Sequence, residues 1–398
     1  MRRVNGERGA VALFIVIFSA LLITTITVAF VRIMVQNQQQ ATTIDLSKSA
    51  LDSAFAGVED AKRAIVIYRS NCLDTDGELI VTTECENLDR AIKSQGCNTI
   101  QESGIAGSPG DDEVLVRQNE GDELLNQAYT CVKIKLDTPD FVGTLSTNDT
   151  RLIPLRATGD VDRVVIEWFS QKDLQNALSG GTGDNINLTD NEQLPKENDW
   201  PANRPSIVRF QLIQFGDSFR LSDFNNNSGD KVNNGTLFLM PSTISEDPDG
   251  TINLDDKVRR SKNTDVLRRV QCNDEFSTTS PGSQFACRAV ILLPDPIGPD
   301  NYENRTAYLM IDQIYSTDTT FSVSMMDGPN VVSFSSVQPI VDSTGRANDL
   351  FRRIRSRVEV ETSSIPPVQA AVDISGSLCK AFFVTDDEDD YTPSTCSN

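Results

Sequence analysis

The sequence predicts an α+β protein: a long N-terminal transmembrane and stem helix, then a β-rich head of antiparallel sheet with disulfides. Three observations predict it. Residues 10–69 keep helical patterning, with no Gly or Pro between Ala10 and Ala56. From Tyr129 onward, short runs alternate apolar and polar residues at the period of a strand. The eight cysteines are even in number and all lie after residue 70, as in a head folded in an oxidising compartment.

The helix comes first. Residues Ala10 to Val31 carry no charge and read AVALFIVIFSALLITTITVAFV. At about 1.5 Å per residue they span roughly 33 Å, enough for a bilayer core. Beyond Arg32 and the glutamine-rich piece Gln36–Gln40, apolar residues recur every seven positions. Ile44, Leu51, Val58 and Ile65 form one row, and Ala54, Ala61 and Tyr68 a second row, with Ser47 the exception. The other face carries Asp45, Lys48, Asp52, Glu59, Lys62 and Arg63, with Glu59 and Arg63 at the favourable four-residue spacing. The reading is a transmembrane segment over 10–31 and an amphipathic stem with one packing stripe over 32–69.

A secretory signal peptide is the competing reading of the first 30 residues. The apolar run is longer than a typical signal core, no small-x-small site closes it, and the heptads continue directly from it. Ahead of it lies a basic leader, residues 1–9, where Arg2, Arg3 and Arg8 outweigh Glu7. That excess holds the N-terminus in the cytoplasm and sends the remainder outward.

These first 70 residues resemble the type IV pilin superfamily, and within it the PilX-like minor pilins. The features that carry the likeness are a basic leader ending in Arg8-Gly9, a long apolar helix, and its continuation as the stem SALDSAFAGVEDAKRAIV. The resemblance implies cleavage by a prepilin peptidase between Gly9 and Ala10, methylation of the new N-terminus, and packing against other pilin subunits through the helix. One departure matters. Major pilins usually carry Glu at the fifth residue after the cut, where it neutralises a neighbour's terminal amine; here that residue is Phe14. An unpartnered carboxylate in lipid is costly, so its absence suits a subunit with no neighbour above it, at a tip or in priming. A subunit that is never processed and stays anchored is the plainer alternative.

The 398 residues leave room for one or two domains beyond the stem, read as 70–205 and 206–398. Thirty-six basic residues against 57 acidic ones leave a net charge of −21. A surface of that sign repels phosphate backbones, so direct nucleic-acid binding is not expected. No C-x-x-C occurs, which favours disulfides over metal or redox chemistry. Cys272 with Cys287 and Cys379 with Cys396 are separated by short, turn-rich sequence and are the first pairs expected. Each closes a loop of about 15 residues, worth roughly 3 kcal/mol in the chain-entropy account. Cys72, Cys85, Cys97 and Cys131 can pair in three ways, and the sequence does not choose among them.

Along the head, helical character ends near Arg69 at turn chemistry from Ser70 to Gly77. Ile80–Thr83 reads as a short strand, Cys85–Lys93 as a short helix, and the Gly-rich acidic stretch Ser103–Asp122 as a loop. Strands are expected at Tyr129–Leu136, Leu152–Ala157 and Val161–Phe169. Residues 170–205, rich in Gly, Asn, Asp and Pro, read as the internal boundary. Strands resume at Ile207–Phe215 and Thr236–Met240, with a helix over Asp255–Val270. Further strands are expected at Ala289–Leu293, Ala307–Tyr315, Thr320–Met325 and Val331–Val337. The last strong strand is Phe351–Thr362, whose arginines 353, 355 and 357 are expected to pair with carboxylates on neighbouring strands. After Val368–Val384 comes the acidic run DDEDD, read as a solvated tail.

The chain contains no histidine, which removes Ser-His-Asp and Cys-His catalysis and His-ligated zinc together. It also lacks a G-x-S-x-G elbow and a G-x-x-x-x-G-K phosphate loop. No pair of carboxylates stands out for glycoside hydrolysis. No enzyme activity is therefore expected. The sharpest local signal is SEDPDGTINLDD, Ser245–Asp256, which resembles the calcium loop of EF-hand and dockerin modules. Asp247, Asp249, Thr251 through its carbonyl, Asn253 and Asp256 are the candidate Ca²⁺ ligands, with Gly250 at the turn. Ser245 stands where the first acid belongs, and the preceding segment reads as a strand rather than a helix. An ordinary Asp-Gly turn is the alternative. Asp74, Asp76, Gly77 and Glu78 form a weaker version, and Asp223–Asp230 reads as a surface turn.

The functional expectation is a pilin-like minor subunit of a type IV pilus, anchored by the N-terminal helix, whose head serves assembly priming or surface attachment. Its partners would be the membrane, other pilin subunits and the prepilin peptidase. Its location would be the cell membrane and, after assembly, a surface filament. A non-pilus membrane-anchored adhesin or receptor, and an anchored extracellular hydrolase, are the rival classes.

Overall fold

The computed structural model describes residues 8–74, 78–107, 111–116, 126–146, 149–178, 185–190, 199–214, 234–245, 250–253, 267–276, 284–299, 307–315, 318–359 and 364–365. Its elements are, in chain order, the helices α1 (Arg8–Asn71), α2 (Thr83–Ser94) and α3 (Thr99–Glu102), and the strands β1 (Val114–Leu115), β2 (Gln127–Lys135), β3 (Asp140–Leu145), β4 (Thr150–Pro154) and β5 (Val161–Ser170). Helix α4 (Gln171–Ala177) follows, then β6 (Ile207–Gln214), β7 (Asn234–Ser242), β8 (Thr251–Asn253), β9 (Leu267–Gln271), β10 (Phe285–Ile297) and β11 (Ala307–Ile314). The chain continues through β12 (Thr319–Asp327), β13 (Asn330–Val332), β14 (Ile340–Ala347), β15 (Leu350–Arg357) and β16 (Ser364–Ile365). Long helix first and sheets after it make the class α+β.

The chain folds as two compact units, each assembled from separate stretches of sequence. The first takes residues 1–64, 87–134 and 341–356. Its sheet has the order β1-β2-β14-β15. Helix α1 packs on one face of that sheet, and the fit depends on missing side chains. A Cβ on Gly345 would overlap the backbone of Ala50 and Ala54, and one on Gly57 would lie 2.9 Å from Val132 Cγ2. Helix and strand therefore approach to backbone contact, which only glycine at these positions allows. Ala50, Ala54, Val58, Ala61 and Ala64 of α1 are buried, together with Leu88, Ala91, Ile92, Ile100, Tyr129, Val132, Ile134, Val341 and Ala347. The disulfide Cys97–Cys131 ties the segment before α3 to β2, beside the bridge between Asn98 and Val132.

The second unit takes residues 65–86, 135–340 and 357–398. It is built on two sheets. One has the order β13-β12-β5-β10-β8, with β3 also paired to β12; the other has the order β16-β4-β11-β6-β7-β9. The strand β5, VDRVVIEWFS, pairs antiparallel with β10 on one side and β12 on the other. Trp168, Ile166, Phe321 and Ile291 from the first sheet and Phe210, Leu212, Leu309 and Ile311 from the second share one apolar core. Trp168 is fully buried and its indole N–H donates to the Ser206 carbonyl at 3.0 Å, the partner a buried indole needs. The disulfides Cys72–Cys85 and Cys272–Cys287 belong to this unit. The structure thus chooses Cys72–Cys85 and Cys97–Cys131 from the three pairings the sequence left open. Cys379 and Cys396 lie outside the described residues.

Several expectations are corrected. The sheets are mixed rather than wholly antiparallel: β8 runs parallel to β10, and β9 parallel to β7. Residues 170–205 are not a boundary, since β4 and β6 on either side of them both pair with β11. Within that stretch, Ser170 and Asp173 form a capping box that starts α4, and the buried Asp173 carboxylate also accepts from the Thr320 N–H and hydroxyl, each at 3.0 Å. Leu174 and Ile186 join the main core there, and Trp200 packs in a smaller cluster with Ile207 and Met240. Ile80–Thr83 forms no strand; the only pairing nearby among the described residues is the bridge Leu73 to Leu79. The helix expected over Asp255–Val270 ends as strand β9, and residues 254–266 lie outside the described residues. The strands β1, β3, β8, β14 and β16 were not expected, and β1 lies in the stretch read as a loop.

Candidate functional site: the N-terminal helix

Helix α1 runs for 64 residues, from the leader to Asn71, without a break. Gly9 and Ala10, the expected cleavage point, lie on its first turn. From Leu13 to Asp45 every residue is exposed, although the stretch includes Leu13, Phe14, Ile17, Phe18, Leu22, Ile26, Phe30 and Met34. Thirty-odd residues of helix, roughly 50 Å, are therefore covered by nothing among the described residues. Water is a poor solvent for so much apolar surface. The threonine hydroxyls in the apolar part of this stretch are turned inward onto the helix. Thr24, Thr25 and Thr27 donate their hydroxyls to the carbonyls of Ala20, Leu21 and Ile23 at 2.5 to 3.0 Å. Hydroxyls satisfied in this way are compatible with hydrocarbon. The helix is long and apolar enough to cross a membrane, a property that an N-terminal signal sequence shares.

Further along, the heptad stripe divides. Down the row the exposure falls from 47 % at Ile44 to 37 % at Leu51, 3 % at Val58 and 0 % at Ile65. Ala54, Ala61 and Tyr68 are buried as expected. Ile44 and Leu51 do not join them, and the reason is geometric. A straight helix rotates a seven-residue row by about 20° per heptad, so the row turns from the open side onto the packed side as it climbs. The buried face itself starts at Ala50 and includes Ser53, Gly57 and Ala64, which the heptad count missed. Ile44 and Leu51 instead share an open face with Phe55, which is 46 % exposed. Phe55 lies eleven residues beyond Ile44 and so on nearly the same azimuth, a spacing legible in the sequence.

A hydrogen bond ties the stem to β2. Asp60 accepts from the Tyr129 hydroxyl at 2.7 Å. Burial first, then this bond and the Asp60 charge, push the Tyr129 phenol well above its ordinary range. Glu59 pairs with Lys62 at 2.6 Å rather than with Arg63, which lies 3.9 Å from Asp60. In the head, Glu167 and Asp312 are both raised, chiefly by burial, and each faces an arginine, Arg288 at 3.6 Å and Arg209 at 3.1 Å. Two of the expected arginine pairs on the last strong strand are present: Arg353 with Asp342 on β14, and Arg357 with Asp140 on β3.

The calcium loop is not assembled among the described residues. Asp247, Asp249 and Asp256 lie outside them. Thr251 and Asn253 lie on β8, in register with Val290 and Leu292 of β10, with Ile252 between them buried in the core. In the weaker version, Asp74 accepts from the Glu78 N–H at 2.8 Å, while Asp76 and Gly77 lie outside the described residues, as does Asp223–Asp230. Among the described residues no three acids or cysteines come together to hold a metal ion. Comparison with protein families, with curated proteins and with solved structures returns no match.

Proposed function

We propose that this chain is a pilin-like minor subunit of a type IV pilus, held in the membrane by α1 before assembly and presenting its head for assembly priming or surface attachment. The observation that carries the reading is the unbroken helix α1. From Leu13 to Val31 it exposes side chains suited to lipid or to other helices, and its last part is built into a folded sheet. The open face of Ile44, Leu51 and Phe55 extends that apolar surface beyond the span toward the head, where a neighbouring helix can pack. Three disulfides among the described residues fit a head on the oxidising side of the membrane. Phe14, 76 % exposed, stands where a charge-neutralising acid would be needed by a shaft subunit, which supports a place at the tip or in priming.

The test is the state and location of the native protein. The mature chain is expected to begin at Ala10 and to appear in sheared surface filaments at low abundance. An intact Met1, with the protein confined to the membrane fraction, would replace this reading with that of an anchored adhesin.

A further inference from the structure

The sheet of the first unit turns one face to α1 and the other away from it. Arg352 of β15 donates to Ser47 of α1 at 2.8 Å, and Ser343, Gly345 and Val132 also border α1. By strand alternation, Lys133, Asp342, Arg353 and Arg355 lie on the opposite face. There Arg353 donates to Asp342, its Nε at 2.6 Å, and the charges of Arg355 and Lys133 act on the same carboxylate. Three cations thus share one acid. The neighbouring cation on this face, Arg346, is held by Glu113 at 2.7 Å. Arg355 and Lys133 are exposed, and the Arg353 side chain remains 69 % exposed despite its bond. Phe351, 53 % exposed, lies on the same face of β15, and β15 ends the sheet among the described residues. On a chain of net charge −21 this is a positive island beside an open strand edge.

The same chain carries the complementary charge. Asp386, Asp387, Glu388, Asp389 and Asp390 are consecutive, and no Lys or Arg follows Lys380. We propose that the basic face and edge of β15 bind the acidic run Asp386–Asp390 of a second copy of the chain. Copies this acidic repel one another on average, so a contact between them needs opposite charges placed locally. The proposal rests on the preceding reading only in that α1 confines copies to one membrane, which raises their effective concentration.

Isotopically light and heavy forms of the full chain, mixed in one bilayer preparation, are treated with a carbodiimide, which joins a lysine amine directly to a carboxylate. Expected are mixed-isotope links between Lys133 and residues 386–390, reduced about tenfold or more when the salt concentration is raised from roughly 0.1 to 1 M. The exposed-site variant R353E/R355E is expected to remove them. Links only within one isotopic form would give the run to its own copy and overturn the proposal, as would their absence or their insensitivity to R353E/R355E. An uncleaved leader would defeat the pilus reading and leave mixed-isotope links in place, so the two failures are distinguishable.

Discussion

Residues 13–45 and residues 50–68 belong to one helix, yet they are selected by opposite rules. The first stretch carries large apolar residues up to Val35 and polar ones from Gln36 to Asp45, all of them exposed; the second buries the small residues Ala50, Ala54, Gly57, Ala61 and Ala64 beside Val58, Ile65 and Tyr68. Large side chains gain when the surroundings are fluid and can flow around them, as lipid does. Small ones gain when a strand must come close enough for backbone contact, as β14 does at Gly345. Apolar content alone therefore does not report where a helix is buried; the small residues mark where a strand comes close.

The largest effect that would break this comparison is expected from Gly345→Val. Its side chain meets helix backbone that cannot move aside, so the first unit should lose about 4 kcal/mol or more. Denaturant unfolding of the full chain in detergent measures this, and a loss below about 1 kcal/mol would mean that close approach is not what holds the stem. Next comes Leu22→Arg in the exposed stretch. It should oppose insertion by roughly 3 kcal/mol while leaving head unfolding unchanged, as read by membrane fractionation alongside the same unfolding assay.

A sharper test uses the drifting row. Val58→Ala should destabilise by about 2 kcal/mol. Ile44→Ala, on the same heptad row, should change head stability by less than about 0.5 kcal/mol. Equal losses at the two positions would contradict the rotation of the row around a straight helix.

The smallest effect concerns the bond between stem and sheet. Tyr129→Phe removes the donor to Asp60 and should cost about 1 kcal/mol at neutral pH. The sign with pH follows from the raised phenol. Folded Tyr129 keeps its proton where the unfolded residue, with a pKa of about 10, loses it. Stability from this group is thus full below pH 10 and falls as pH rises above it. Thermal unfolding from about pH 9 to 11 should show a loss in the wild-type chain that is smaller in Tyr129→Phe.

How much could be read beforehand varies with the range of the interaction. The strand over Val161–Phe169 was legible because dense β-branched and aromatic residues are needed at the centre of any sheet. The pair Cys272 and Cys287 was legible because its loop is short. The choice among Cys72, Cys85, Cys97 and Cys131 was not, since it depends on whether a segment meets the end of α1 or β2. Strand β14 escaped notice for a related reason: its polar and glycine residues are explained by a helix nearly 300 residues earlier in the chain. The cations around Asp342 lie on β2 and β15, more than 200 residues apart, and no local pattern joins them.

The sequence by itself determined a single long helix with an apolar first part, the class α+β, and most of the strands. Each of these depends on periodicity, or on Gly and Pro, within a window of a few turns. Only the tertiary structure decided which helix face is buried, which cysteines meet, and that residues 87–134 and 341–356 fold into one unit. Those outcomes depend on contacts between distant segments, where the energy lies in how closely two surfaces fit, and closeness of fit is a property of pairs that no single stretch of residues contains.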